Sequence, residues 1–239
     1  MEGAAAVTTF GVLQLTNTST NVICHAFFPS SIPSLLPVNK TISFSTTLVF
    51  QILKSATSSS GSHGLGFTFS PTKITPSPGC CPYLGLFGRE NNGNFSNHVF
   101  AVEFNTARGF GFFTDEIHVG IDINSIVSVS SASPSYYDNT TNSNVNLDFL
   151  QGDPLEAWIE YDGVSKDLNV MLASLNVAKP SKPLISYATD LSNVFKENMY
   201  VGFSASIGTQ PNSHYISGWS FHVNGEAQAL DLSSLPFPQ

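Results

Sequence analysis

Between His98 and Ser125, in HVFAVEFNTARGFGFFTDEIHVGIDINS, two runs of alternating side chains flank a loop of about ten residues. Val99, Ala101, Glu103 and Asn105 share one face of the first run, and Phe100, Val102 and Phe104 share the other. In the second run His118, Gly120 and Asp122 lie opposite Val119, Ile121 and Ile123. This period predicts two half-buried strands, with a carboxylate and an amide projecting together at the end of the first. Glu103, Asn105, Asp115, Glu116 and His118 thus form a candidate cluster of oxygen and nitrogen donors closed by the loop. Calcium takes carboxylate and carbonyl oxygens from such a loop, and a transition metal takes the imidazole with a carboxylate. A strand pair with a solvated acidic turn is the alternative reading.

The rest of the chain repeats the alternation. Ile42, Phe44, Thr46, Leu48 and Phe50 share a face, as do Leu65, Phe67 and Phe69. Leu155–Tyr161 reads as a strand with a turn at Asp162-Gly163 and a return over Leu168–Leu172. Strands are also expected over Met199–Ser206 and His214–Val223, and a short helical turn over Asp190–Glu197 with Leu191 and Val194 or Phe195 facing inward. The proline-rich run Ser70–Pro82 and the Ser-, Asn- and Thr-rich run Ser130–Asn146 read as loops. This is the pattern of one all-β antiparallel sandwich over residues 1–229, followed by a tail, 230–239, that extends away from the sheet.

A net charge of −8 argues against nucleic acid or an anionic membrane as partner. Asn17, Asn39, Asn94 and Asn139 open N-x-[ST] sequons. Of the three cysteines, neighbours Cys80 and Cys81 are poorly placed to bond each other, either can reach Cys24 if the fold brings them together, and one is left over. No run is apolar enough to span a membrane, and Met1–Val7 lacks the pattern of a secretory signal.

AVEFNT followed by HVGIDINSI resembles the metal-loop signature of the legume lectin family, in the version of plant L-type lectin receptor kinase ectodomains. GVLQLTN, HAFF, SFSTTLVF, SHGLGFTFSP, YLGLFG, WIEYDG, MYVGFSASIG and HYISGWSF extend the resemblance over nearly the whole chain. It implies a jelly-roll β-sandwich, here lacking the aromatic-rich first strand that normally precedes the segment Glu2–Asn17. It implies an extracellular or cell-surface location, makes the four sequons plausible glycan sites, and leaves a homodimer open. In the receptor kinases such a tail leads to a membrane span and a kinase.

The resemblance also implies binding without reaction, by a domain in which Mn²⁺ and Ca²⁺ shape loops that hold a sugar. Glu103 and His118 match metal ligands of the family. Asn105 stands where an Asp bridges both ions, Gly109 where an Asn binds calcium and sugar, and Ala107 where an aromatic or backbone ligand sits. The loop to His118 is about two residues shorter than usual, and the remaining Asp aligns near Thr114 or Asp115. His63 replaces the sugar-binding Asp. An N–H for the sugar would come from Gly79, Cys80 or Cys81, and the last specificity loop corresponds to Gly208, Thr209, Gln210 and Asn212. The metal and sugar sites are therefore expected to be degraded, with Ca²⁺ and Mn²⁺ weakened or lost. Phe110, Phe112 and Phe113 around Gly109 and Gly111 would replace the metals as an apolar plug or offer an apolar surface to a ligand. Trp158 and Trp219 read as packing residues.

The function expected is non-enzymatic carbohydrate recognition by a receptor-like ectodomain. The alternative is a pseudolectin that binds a protein, an extracellular nucleotide or an apolar metabolite without metals. A glycosidase needs two carboxylates flanking the bond, and Glu156 and Glu160, on one strand face, stand roughly 13 Å apart. That separation argues against catalysis.

Overall fold

The computed structural model describes residues 1–37, 40–56, 61, 63–73, 79, 81–107 and 116–238, the Cys81 side chain excepted. Two antiparallel sheets pack face to face. The first runs, edge to edge, through strands Ala6–Val7, Leu13–Gln14, Asn212–Val223, Phe44–Lys54, Leu155–Asp162, Asp167–Ser174 and Ile185–Ala188. The second runs through Ser130–Ala132, His118–Ile123, Phe100–Asn105, Gly64–Ser70, Asn198–Ile207 and Val22–Phe27, with Ile32–Pro33 added beside Asn198–Ile207.

The alternation sets the core. Phe44, Leu48 and Phe50 of the first sheet meet Phe67, Phe69, Phe100, Val102 and Phe104 of the second, all buried. Phe44 and Phe69 approach to 4.7 Å between ring centroids and Phe50 and Phe104 to 4.5 Å, so aromatic pairs stitch the two sheets together. The turn after Asp190 is the 3-10 segment Leu191–Asn193, and it delivers buried Leu191, Val194 and Phe195 to this core. A smaller apolar cluster, with Leu84, Leu86, Phe87, Val99, Ala101 and Ile126, covers part of the second sheet's outer face.

Two expectations change, for Ser130–Asn146 and for the tail. Ser130–Asn146 is no irregular loop: Ser130–Ala132 closes an edge of the second sheet, and Ser135–Asp138 pairs with Ser143–Asn146. These strands are only three or four residues long and mostly Ser, Asn and Asp, so Ala132, Tyr136, Tyr137 and Val145 are too few to set an alternating signal. The start of the chain occupies edges of its own, since Ala6–Val7 and Leu13–Gln14 end the first sheet and Glu2 bridges to His25. The tail does not extend away. Ala227 N–H donates to Ser45 Oγ, and a Cβ on Gly218 would stand 2.7 Å from Leu235 and 3.1 Å from Leu230. The bare glycine lets the returning tail lie flat on the sheet.

Candidate functional site

Strand Phe100–Asn105 sits between Gly64–Ser70 and His118–Ile123, in register Gly64↔Asn105↔His118 and Gly66↔Glu103↔Gly120. Five strands of the second sheet begin or end at this edge. His63 precedes Gly64, Asn105 closes its strand, His118 opens the next, Gly208 follows Ile207, and Asn21 precedes Val22. Antiparallel pairing thus carries residues distant in sequence to one end of the sandwich.

On the outer face, Glu103 and His118 are 1 % and 6 % exposed, and His118 Nε2 lies 2.6 Å from Glu103 Oε1. His118 Nδ1 lies 2.8 Å from Glu116 O. Both partners are oxygen acceptors, so both ring nitrogens donate and His118 is an imidazolium. Burial opposes that charge, but the hydrogen bonds and charges of Glu103 and Glu116 outweigh it and raise the His118 pKa.

Ser128 joins the network from the loop after Ile123. Its Oγ lies 3.0 Å from Glu103 Oε1 and 2.8 Å from Asp122 Oδ1. A hydroxyl has one hydrogen, so one of these contacts needs a proton from the carboxyl. Asp122 is fully buried, and burial with the Glu103 charge pushes its pKa well up, so Asp122 is the carboxylic acid. Gly120 makes room, since a Cβ there would stand 2.2 Å from Ser128 Oγ and 2.9 Å from Glu103 Oε1.

Asn105 donates through Nδ2 to Glu103 Oε2 at 3.3 Å, and its Oδ1 accepts from Ala107 N–H at 2.7 Å. The one oxygen it could offer a metal is turned to the backbone. Among the described residues no group of three or more His, Cys, Asp or Glu is arranged to hold a metal ion. Two ligands about 2.1 Å from one ion at right angles stand about 3 Å apart, whereas Glu103 and His118 share a proton at 2.6 Å. These donors by themselves do not fit a two-ion centre. Asp115, Gly109, Thr114, Phe110, Phe112 and Phe113 lie outside the described residues, as do Asn39 and Cys80.

His63 is 2 % exposed in the left-handed region, φ 54°, and its carbonyl accepts from Thr106 N–H at 2.5 Å and Thr106 Oγ1 at 3.1 Å. Burial lowers its pKa to about 4. His214 packs nearby, fully buried, with Nδ1 2.7 Å from Thr16 Oγ1. Thr16 donates its hydroxyl proton to Asn212 O, so His214 carries its proton on Nδ1. Nε2 has no hydrogen-bond partner among the described residues. Burial, with the charge of His63 adding to it, lowers the His214 pKa to about 3.

Gly208 is buried, Thr209 exposed and Gln210 half-buried at the same edge, with Asn21 N–H donating to Gly208 O. Gly79 and Cys81 instead belong to the loop over the sheet's outer face, where Gly79 N–H is spent on Phe87 O at 2.7 Å. Cys24 is a buried free thiol under Ala4, whose N–H points at Sγ. Asn94 and Asn139 are exposed and Asn17 half-buried.

A family model described as the legume lectin domain matches residues 1–236. The chain belongs to the legume lectin family. The L-type lectin-domain containing receptor kinase V.9 of Arabidopsis thaliana is 42% identical over 236 residues, 98% of this chain and 35% of that protein. The receptor kinase SIT2 of Oryza sativa subsp. japonica is 40% identical over 238 residues, again 98% of this chain and 35% of the relative. The lectin domain thus spans about a third of those receptor kinases. Among solved structures, lectin II from Ulex europaeus superposes with a TM-score of 0.78 at 30% identity, covering 94% of this chain and 92% of that one. The metal-free form of lectin I-B4 from Griffonia simplicifolia gives 0.77 at 28%, with the same coverage.

Ser128 and Asp122 were the residues the sequence did not bring into the site. Asp122 shares the face of His118 by parity, which was a usable signal. Ser128 reaches the network only because the chain turns back after Ile123, and nothing local announces that. Trp158 is also reassigned. It is half-exposed on the outer face of the first sheet, whereas Trp219 packs against Phe203 between the sheets, 5.1 Å between centroids.

Proposed function

We propose that this domain recognises an extracellular glycan without catalysis and without metal ions. The ligand sits at the strand-end edge beside His63 and Gly208, Thr209 and Gln210. The observation that carries this reading is the hydrogen-bonded network of His118, Glu103, Ser128 and Asp122, in which Asp122 Oδ2 alone is buried without a partner among the described residues. Glu103 and His118 stand where the family resemblance places metal ligands, and their hydrogen bonds tie strand Phe100–Asn105 to strand His118–Ile123, which supports an edge held without an ion. Kinship to receptor-kinase ectodomains supports an extracellular setting with glycans on Asn17, Asn94 and Asn139, and among structural neighbours lectin UEA-II was solved complexed with galactose.

A neutral, buried His63 offers no fixed carboxylate for paired hydroxyls. That observation favours the second reading, a pseudolectin for a protein, nucleotide or apolar metabolite. A glycan array run with and without EDTA decides between them. Binding that survives EDTA supports metal-free glycan recognition, binding lost with EDTA restores the metal-dependent mechanism, and no binding even with added Ca²⁺ and Mn²⁺ leaves the pseudolectin.

A further inference from the structure

The outer face of the first sheet, on the far side of the sandwich from the glycan edge, carries a groove of about 510 Å³ lined by Thr47, Glu156, Trp158, Glu160, Lys179 and Glu226. The returning tail forms one wall, through Ala229, Leu230 and Leu232. A second hollow of about 530 Å³ shares Ser45, Glu160 and Glu226 with it and adds Asp162 and Asp167. The two form one trough along strand Leu155–Asp162.

Parity explains the composition. Glu156, Trp158, Glu160 and Asp162 project from one face of that strand at intervals of about 7 Å, and Asp167 lies directly opposite Asp162 in the ladder. Like charges paired across a ladder oppose each other. Against five carboxylates, with Glu226 counted, the groove lining among the described residues offers a single cation, Lys179. Its Nζ lies 2.5 Å from Glu160 Oε1, an ammonium group of the chain itself held by the trough.

Glu156 has no such partner. It is 6 % exposed and lines the groove, and Thr47 donates to its Oε1 at 3.2 Å. No described residue donates to Oε2, and no cation among them pairs with the carboxylate. Burial raises its pKa, with the Thr47 bond opposing, as expected of a partly buried carboxylate without a counter-charge. Beside it Trp158 offers an indole face, which attracts cations and accepts methylenes.

We propose that this trough binds a linear aliphatic polyamine along strand Leu155–Asp162, with ammonium groups on Glu156, Glu226 and the Asp162–Asp167 pair and methylenes over Trp158. Such a chain spaces its ammonium groups by a few methylenes, commensurate with carboxylates set out every second residue. A neutral sugar leaves the charge uncompensated, so it is the weaker occupant.

The test is calorimetric titration of the domain with spermidine at low ionic strength, with maltotriose and a lysine-rich peptide as comparison probes. Trp158 fluorescence is followed in a Trp219→Phe background. Saturable binding of spermidine with a change in Trp158 emission is expected. Glu156→Gln, which keeps the acceptor for Thr47, should weaken it about tenfold or more, the scale of one lost ion pair. Lys179→Ala should strengthen it severalfold by freeing Glu160. No saturable binding, equal binding by maltotriose, preference for the peptide, or an affinity unmoved by both variants overturns the proposal. The glycan array reads a different edge, so either reading can fail alone.

Discussion

His118 and His214 are both buried at the polar end of the sandwich, yet they are opposite electrostatic objects. His118 faces the Glu103 carboxylate and the Glu116 carbonyl and carries a charge; His214 faces a threonine hydroxyl and another histidine and stays neutral. Burial acts against the cation at both. The difference is one counter-charge two residues before the end of strand Phe100–Asn105, and it decides whether an imidazole ties the edge together or merely fills it.

Removing that counter-charge should convert the first region into the second. Glu103→Ala strands the imidazolium and leaves Ser128 without its acceptor, and breaking a buried pair from one side costs about 3–5 kcal/mol. Urea unfolding of the variant should show that loss, and the His118 NMR titration should fall below the usual histidine range. A variant that is as stable as the wild type would mean that the network does not hold the edge.

Acid attacks the other region. His214 and His63 stay neutral in the folded chain down to about 3 and about 4, while in the unfolded chain they take up protons near 6.5. Their neutral burial costs nothing above 6.5 and is penalised as pH falls, by about tenfold in the folding equilibrium per pH unit for each ring. The raised pKa of His118 has the opposite sign: its contribution is full below 6.5 and lost as pH rises through the folded value. Asp122, also raised, strains the fold less as acid is added and offsets part of the loss. Urea midpoints from pH 7 to 5 should therefore fall, and His214→Asn should flatten the slope. A flat profile in the wild type would erase the contrast.

How much of this was legible follows from what each feature depends on. The sandwich, its Phe-rich core and the pairing of Glu103 with His118 rest on period two, which a sequence displays directly. Ser130–Ala132 and the Ser135–Asp138 hairpin escaped because they are too short and too rich in Ser and Asn to show an alternation. Trp158 was misplaced because alternation gives the face but not what covers it; its neighbours Glu156 and Glu160 already marked that face as polar. Asn105 was legible as a departure from the metal pattern, but its oxygen turning to Ala107 N–H is a matter of local geometry.

Gly120→Ala probes how tightly the charged region is built. The new methyl would meet Ser128 Oγ and Glu103 Oε1 together, so about 1–3 kcal/mol of stability should be lost, as in other overpacked sites. The His214 region should not register it, and an acid profile parallel to that of the wild type would show that the two regions are separate.

The last test reads the proton count. If Asp122 is a carboxylic acid, its hydroxyl donates to Ser128 Oγ and the Ser128 proton goes to Glu103. An asparagine can supply the same donor from its amide without taking up a proton on folding, whereas Asp122, ionised in the unfolded chain above about 3.9, must take one up. The gain in stability of Asp122→Asn over the wild type should therefore be small near pH 4 and grow by about 1.4 kcal/mol per pH unit for as long as the folded carboxyl stays protonated. Urea midpoints of both proteins from pH 5 to pH 8 read this: a difference that still widens at pH 8 keeps Asp122 the acid, and a flat difference means that it is ionised in the fold. The charged region then owes its order to one shared proton on each side of Glu103, and among the described residues no carboxylate pairs with His214.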